Sequence, residues 1–293
     1  MSRNSDVCIL ILTCDRYLPV AEWTKHRIDA DWADHPPLFV HGSGDNRDWM
    51  TVALDGVSAR LSEGFRWIYL VLDDHPPVGK CNARAMNSTL PELARRLDAV
   101  NICLLGWGQR REREGEVLSS RDGALRRNDV SFRWKFSLHP SLWNAEKLRE
   151  LLETRLGQFA GADRTAWNFE RHRDQPGGPV GRHLLENTYR VHGARMAVPA
   201  SSAAEVLRQP ALLGFDMFRF VLRIAGGQHR RDRFDRENLW LYHYYRGPYP
   251  ILWSGAMRQG VPSRDFDNFL RFTGRSALRR EWNEVKRKLS PAC

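Results

Sequence analysis

Hydrophobic residues in this chain fall into short unbroken runs, and the polar stretches between them carry helical spacing. Val7 to Thr13, "VCILILT", is apolar at almost every position over one strand length, the pattern of a strand covered on both faces. The polar turn "CDRYLP" ends that run. "AEWTKHRIDADW" then predicts a helix, and "PPLFVHGSG" predicts a second strand stopped by glycines. "FRWIYLVLDD" reads as a third strand, and "NICLLGWG" as a fourth, beyond the helical stretch "ARAMNSTLPELARRLDAV". Strands alternating with helices predict an α/β fold, Rossmann-like, with a mostly parallel central sheet flanked by helices.

The middle of the chain is more mixed. "SFRWKFSLHPSLW" reads as extended, and "NAEKLRELLETRLG" is the best-delimited helix. Asn144 is its N-cap, Leu148, Leu151, Leu152 and Leu156 share a face, and Gly157 is the expected stop. "DRTAWNFERHRDQ" predicts a short helix, and "TYRVHGARMAVP" another strand. From about residue 241 the sequence turns aromatic, basic and rich in turns, without a βαβ unit. We therefore expect one α/β domain over residues 1–240, with residues 241–293 as a C-terminal extension packed on it.

Composition narrows the class. With 42% hydrophobic and 27% charged residues, the 293-residue chain lies in the ordinary globular range. No apolar run approaches the ~20 residues that span a bilayer, and the opening lacks a basic n-region and a cleavage site. A cytoplasmic, unprocessed protein is the expectation. Five scattered cysteines without C-x-x-C spacing argue against a disulfide framework or zinc site and for reduced thiols, two of them in predicted strands. The formal charge of +10 is regional: arginines crowd "WGQRREREGEVLSSRDGALRRNDVSFRWK", "GGQHRRDRFDRE" and "GRSALRREWNEVKRKLS". Polyanions are the natural partners of such regions: nucleic acid, an anionic membrane surface or a phosphorylated small molecule.

The chemistry concentrates at predicted strand ends. Asp73 and Asp74 follow the third strand, and in open α/β sheets ligands sit beyond the carboxyl ends of the strands. Adjacent carboxylates repel each other unless a cation or strong donors hold them, and Mn²⁺ or Mg²⁺ takes one or two carboxylates plus substrate oxygens. His75 offers a further ligand or a hydrogen bond. Taken alone, the acidic pair fits equally a solvated strand end that caps a turn. The first strand ends in Thr13, Asp15, Arg16 and Tyr17, which reach the same sheet edge if the two strands are parallel. Asp15 suits a ribose or base donor, Arg16 a phosphate and Tyr17 a ring, although each also fits a turn. Trp167 and Glu170, three residues apart, share a helical face, and an indole beside the carboxylate would raise its pKa toward that of a general base. The rival assignment puts Trp167 in the core and pairs Glu170 with an arginine.

Taken together, "ILILTCDRY", "YLVLDDH", "FSLHPSLWNAEKLRELL" and "AWNFERH", in this order, resemble bacterial GT-A-type glycosyltransferases of surface-polysaccharide pathways. The resemblance covers residues 7 to 172 and rests on the order and spacing of short motifs. It implies that Thr13, Asp15, Arg16 and Tyr17 help hold a nucleotide sugar, with Asp73 and Trp167 beside it. It also implies that Asp73, Asp74 and His75 hold a divalent metal, Mn²⁺ or Mg²⁺, on the donor diphosphate. Trp143, with "FSLHP" before it, would wall the sugar or acceptor pocket, and Glu170 would act as the base. The acidic motif departs from the family's D-x-D by reading D-D-H, followed by Pro76 and Pro77. His192 and His243 are alternative ligands that fit structural roles as well.

The activity so implied is transfer of a sugar from a nucleoside-diphosphate sugar donor to the hydroxyl of a saccharide or lipid-linked acceptor, with the single candidate base leaning toward inversion. An anionic membrane surface is a further expected partner, with the chain peripheral at an inner membrane face. Two other classes compete. A nucleic-acid-binding protein would use the charge and the aromatic segment "WLYHYYRGPYPILW", but no recognition motif is present and the strand-end carboxylates repel a phosphate backbone. A non-catalytic carbohydrate-binding protein would use the eleven tryptophans and would not need Asp73 or Asp74.

Overall fold

The structure is a computed structural model that describes residues 6–105, 117–120, 123–130, 132, 134–171, 177–192, 196–197, 217–218, 221–222, 224–225, 244–245 and 247–289. The second arginine-rich stretch falls outside these residues, as do about half of the first and His243; the side chain of His192 is not described either.

Eight strands form one sheet: β1 (Val7–Leu12), β2 (Leu38–His41), β3 (Trp67–Leu72), β4 (Asn101–Cys103), β5 (Val117–Ser120), β6 (Gly123–Arg127), β7 (Ser141–Asn144) and β8 (Thr188–His192). Their spatial order is β2-β1-β3-β7-β4-β8-β6-β5. β1 pairs parallel with both β2 and β3, and β4 with β8. β7 and β6 run against their neighbours, so six of the eight strands point one way. The chain is thus α/β with a mostly parallel central sheet.

The unbroken apolar run of β1 is explained by its two covers. Val7, Ile9 and Ile11 face a cluster with Ala21 and Ile28 of α1 (Leu18–Asp31), Trp32 and Tyr69. Cys8, Leu10 and Leu12 face the opposite cluster, with Met50, Ala53 and Val57 of α2 (Trp49–Ser62). Each large side chain removed from water in this way contributes roughly 1.5–3 kcal/mol. α2 has no counterpart among the predicted elements. Its start was nevertheless written in the sequence, because Asp48 caps it by accepting from the Thr51 N–H over 2.9 Å.

On the α2 side, α3 (Leu90–Arg96) has no place; it packs on the opposite face, while α4 (Ala145–Gln158) lies beside α2. Asn144 caps α4 through Lys147 N at 3.1 Å, as expected. The helix passes through Gly157 and ends at Phe159, since one glycine costs a helix only about 1 kcal/mol and the last turn still closes on Arg155. The segment expected to be extended before Trp143 is turn-rich until β7 begins at Ser141. Two short helices follow, α5 (Ala166–Arg171) and α6 (Arg182–Glu186).

Residues 244–289 close the other side. β9 (Met196–Ala197), β10 (Tyr244–Tyr245) and β11 (Ile251–Leu252) form a small sheet, and β12 (Met257–Arg258) pairs with β13 (Val261–Pro262). Two helices complete the segment, α7 (Arg264–Phe272) and α8 (Ser276–Leu289). Trp23 of α1 packs on Phe266 and Trp282 at centroid distances of 5.8 and 5.2 Å and donates from Nε1 to Glu281 over 2.9 Å. Tyr245, Tyr249 and Ile251 enter the same cluster as β1 and β3, so this segment shares the core of the main sheet. Among the described residues no helix is long and apolar enough to cross a membrane.

Candidate active site

The parallel register of β1 and β3 pairs Leu12 with Leu72, which puts Thr13 and Asp73 side by side at the carboxyl edge. Thr13 Oγ1 donates to Asp73 Oδ2 over 2.9 Å. The Asp73 carbonyl accepts from the Thr24 hydroxyl of α1. Beside them, Gly42 follows β2 with φ of 109°, and a Cβ there would lie 2.2 Å from the Thr13 carbonyl. Only glycine lets β2 exit so close to β1.

Asp73 carries the main electrostatic tension. Burial and then the neighbouring Asp74 charge push its carboxyl up to about 7, with the Thr13 hydrogen bond and the nearby His75 pulling the other way. Asp74 Oδ1 lies 2.8 Å from His75 Nδ1, although the ring is not aligned for a hydrogen bond, and His75 Nε2 is buried with no hydrogen-bond partner. Burial disfavours a charged His75 ring, but Asp74, with Glu170 and Asp73 behind it, outweighs that and raises the pKa.

His75 leads to the second half of the cluster. Its ring meets the edge of His139 at 5.1 Å, and His139 stacks on Trp253 with centroids 5.7 Å apart and planes 17° apart. His139 Nδ1 is 2.7 Å from Ser137 Oγ and 3.8 Å from Glu170 Oε1. Glu170, delivered by α5, accepts from Ser137 Oγ at 2.9 Å and from Leu138 N–H at 3.3 Å. A buried Phe169 anchors that helix turn in the core.

The C-terminal segment forms the remaining wall. Ala256 N–H donates to the Asp74 carbonyl over 2.7 Å, and Tyr249 Oη to the His75 carbonyl over 3.0 Å. Gly255 has φ of 67°, and a Cβ on it would lie 2.7 Å from Asp74 Oδ2. Arg16 donates to the Gly260 carbonyl over 3.1 Å while its guanidinium lies 5.6 Å from the Tyr17 ring centroid.

Most of the expected residues therefore converge. Thr13, Asp73, Asp74, His75 and Glu170 form one continuous cluster. Asp15 stands at its rim, exposed, and accepts from Ser43 Oγ at 3.1 Å and from Gly44 N–H. Arg16 and Tyr17 grip the Gly260 turn. Trp143 does not reach the site: it is fully buried between Phe136 and Phe169, because β7 turns that position toward α4 and α5. The expectation that it walls a sugar pocket is corrected to a core role. Trp167 is 60% exposed, so it is neither in the core nor a buried cover for Glu170. Ser137 and His139 belong to the "FSLHP" stretch that the resemblance set beside the pocket, whereas Trp253 and Gly255 were not assigned to the site. The dipeptide Ser254-Gly255 after an aromatic, and a histidine two residues beyond Ser137 at a strand entrance, were the available signals.

For a cation, the adjacent carboxylates at the end of β3 are Asp73 and Asp74. Among the described residues no three His, Cys, Asp or Glu side chains gather to hold a metal, and His75 lies against Asp74 as its neighbour. Two adjacent carboxylates at a strand end fit a divalent ion bound by Asp73 and Asp74, with substrate oxygens and water completing its shell. Compared with known proteins, the chain matches no family model and no curated protein.

Proposed function

We propose that the chain is a nucleotide-sugar-dependent glycosyltransferase of GT-A type that acts at the carboxyl edge of β1 and β3. The observation that carries this reading is the adjacent acidic pair at that edge, with Asp73 pushed up to about 7 by burial and then by Asp74, beside a separately held carboxylate, Glu170. Two adjacent carboxylates suit a cation-diphosphate complex, and a carboxylate oriented by two donors suits proton removal.

In this reading the Thr13 hydrogen bond favours the ionised form of Asp73 against its burial and fixes its orientation, and Asp15 and Tyr17 border the nucleotide. Asp73 and Asp74 would hold a divalent cation, Mn²⁺ or Mg²⁺, which when bound would supply Lewis-acid neutralisation of the departing diphosphate. Glu170 takes the proton of the acceptor hydroxyl. The acceptor oxygen bonds to the anomeric carbon as the bond from that carbon to the diphosphate oxygen breaks, and the diphosphate leaves with the electron pair. Ser137 and Leu138 N–H fix which way the Glu170 carboxylate faces during that transfer.

The test is thermal stabilisation of the full chain by UDP, GDP and CMP, each with and without Mn²⁺. A shift with one nucleotide that grows with Mn²⁺ and disappears in Asp74→Asn is the expected result. No shift with any nucleotide under either condition overturns the reading.

A further inference from the structure

Ser137 stands between two titratable side chains and has a single hydroxyl proton to give. Its Oγ lies 2.9 Å from Glu170 Oε1 and 2.7 Å from His139 Nδ1, while Nδ1 and Oε1 are themselves 3.8 Å apart. An ionised carboxylate only accepts, and Oε1 also accepts from the Leu138 N–H over 3.3 Å. The serine proton therefore belongs to Glu170. With that proton committed, the serine oxygen meets Nδ1 as an acceptor, so Nδ1 carries a hydrogen and donates it. The donors run one way, from His139 Nδ1–H through Ser137 Oγ–H to Glu170 Oε1.

The opposite tautomer, with Nε2 protonated and Nδ1 bare, would compete for the serine proton and set an oxygen lone pair against the carboxylate. Ser137 is fully buried, so it does not meet a substrate itself and serves as an internal link. The His139 ring is fixed from outside this chain of donors. It stacks on Trp253, its Nε2 lies 3.4 Å from the Trp253 carbonyl, and Ser141 Oγ pins the His139 carbonyl over 2.6 Å.

We propose that His139 is a positioning residue for Glu170, acting through Ser137: its Nδ1–H turns the serine so that a proton, and not a lone pair, faces the carboxylate. The positioning role rests on the transferase reading of Glu170, whereas the direction of the donor chain does not.

The first measurement is the long-range ¹H–¹⁵N spectrum of the full chain labelled in its histidines, with the His139 ring assigned by its loss in His139→Asn. A protonated Nδ1 is expected. A bare Nδ1 beside a protonated Nε2 overturns the proposal whatever the activity. The second is hydrolysis of UDP-glucose and GDP-mannose in the presence of Mn²⁺, read as kcat and KM. His139→Leu should lower kcat about tenfold or more with donor KM within a few-fold of wild type. His139→Asn, whose amide N–H replaces Nδ1–H, should recover most of the loss. Ser137→Ala combined with His139→Leu should be no slower than Ser137→Ala alone, because the histidine acts through the serine. Additive losses, or a His139→Asn as slow as His139→Leu, overturn the positioning role. No turnover of either donor by the wild type counts against the transferase reading instead, and the nitrogen spectrum then decides the donor chain by itself.

Discussion

Thr13 donates its hydroxyl to Asp73 across the β1–β3 boundary, one position beyond the last register pair of the two strands. The contact therefore ties the chemistry of the acidic floor to the alignment of the sheet. Thr13→Val keeps the shape and removes the donor. A hydrogen bond to a charged group is worth roughly 1.5–3 kcal/mol, so cation-dependent nucleotide binding should weaken about tenfold or more. Thr13→Ser should restore it. Isothermal titration with the stabilising nucleotide and Mn²⁺ checks both.

Asp73 should destabilise the protein in the absence of a cation. Its folded pKa, about 7, stands above the ordinary 3.8, so the folded state binds the proton more tightly than the unfolded state. The penalty grows as pH rises from about 4 to 7 and is complete above that range. Asp73→Asn is expected to raise the unfolding free energy at pH 8 by roughly 1–3 kcal/mol and to change little at pH 4. Urea titrations at the two pH values decide it. A variant no more stable than wild type at pH 8 contradicts the charge imbalance.

Glu170→Gln preserves an acceptor oxygen for Ser137 and Leu138 N–H while removing the base. Sugar transfer should fall by roughly 10²–10⁴ in kcat, with nucleotide affinity within a few-fold of wild type. Loss of nucleotide binding in step with kcat would make Glu170 a structural support of the donor site instead.

Gly255→Ala combines a left-handed backbone with a Cβ driven to within 2.7 Å of the Asp74 carboxylate. Unfolding should become easier by roughly 1–3 kcal/mol. Any cation-dependent nucleotide binding should also drop, because Asp74 must move. Gly64→Ala, between α2 and β3, has a positive φ with open space around it, so it isolates the backbone strain and should leave nucleotide binding alone.

Hydrophobic run length alone made β1 and β3 legible, because a strand covered on both faces has no polar positions to blur it. Asn144 as N-cap and the leucine face of α4 were legible for a similar reason: both are local. Direction was not local. β7 runs against β3 and β4, and a four-residue strand carries no mark of its polarity. That reversal is what sends Trp143 into the core, out of the pocket assigned to it. The acidic edge was visible from Asp73 and Asp74, but Trp253 and Gly255 reach it from more than 170 residues away. Only packing reveals such an approach.

Tyr249 holds the His75 carbonyl and Ala256 holds that of Asp74, so the turn bearing the acidic pair is secured by residues synthesised long after it. A growing chain can lay down β1, β2 and β3 and cover them with α1 and α2 early. The carboxylates at their ends meanwhile stay on an unbraced turn. Because Tyr245, Tyr249 and Ile251 also enter the core of the main sheet, the same late residues complete that core and brace the acidic turn, and refolding should gain any affinity for a divalent cation only as that segment packs.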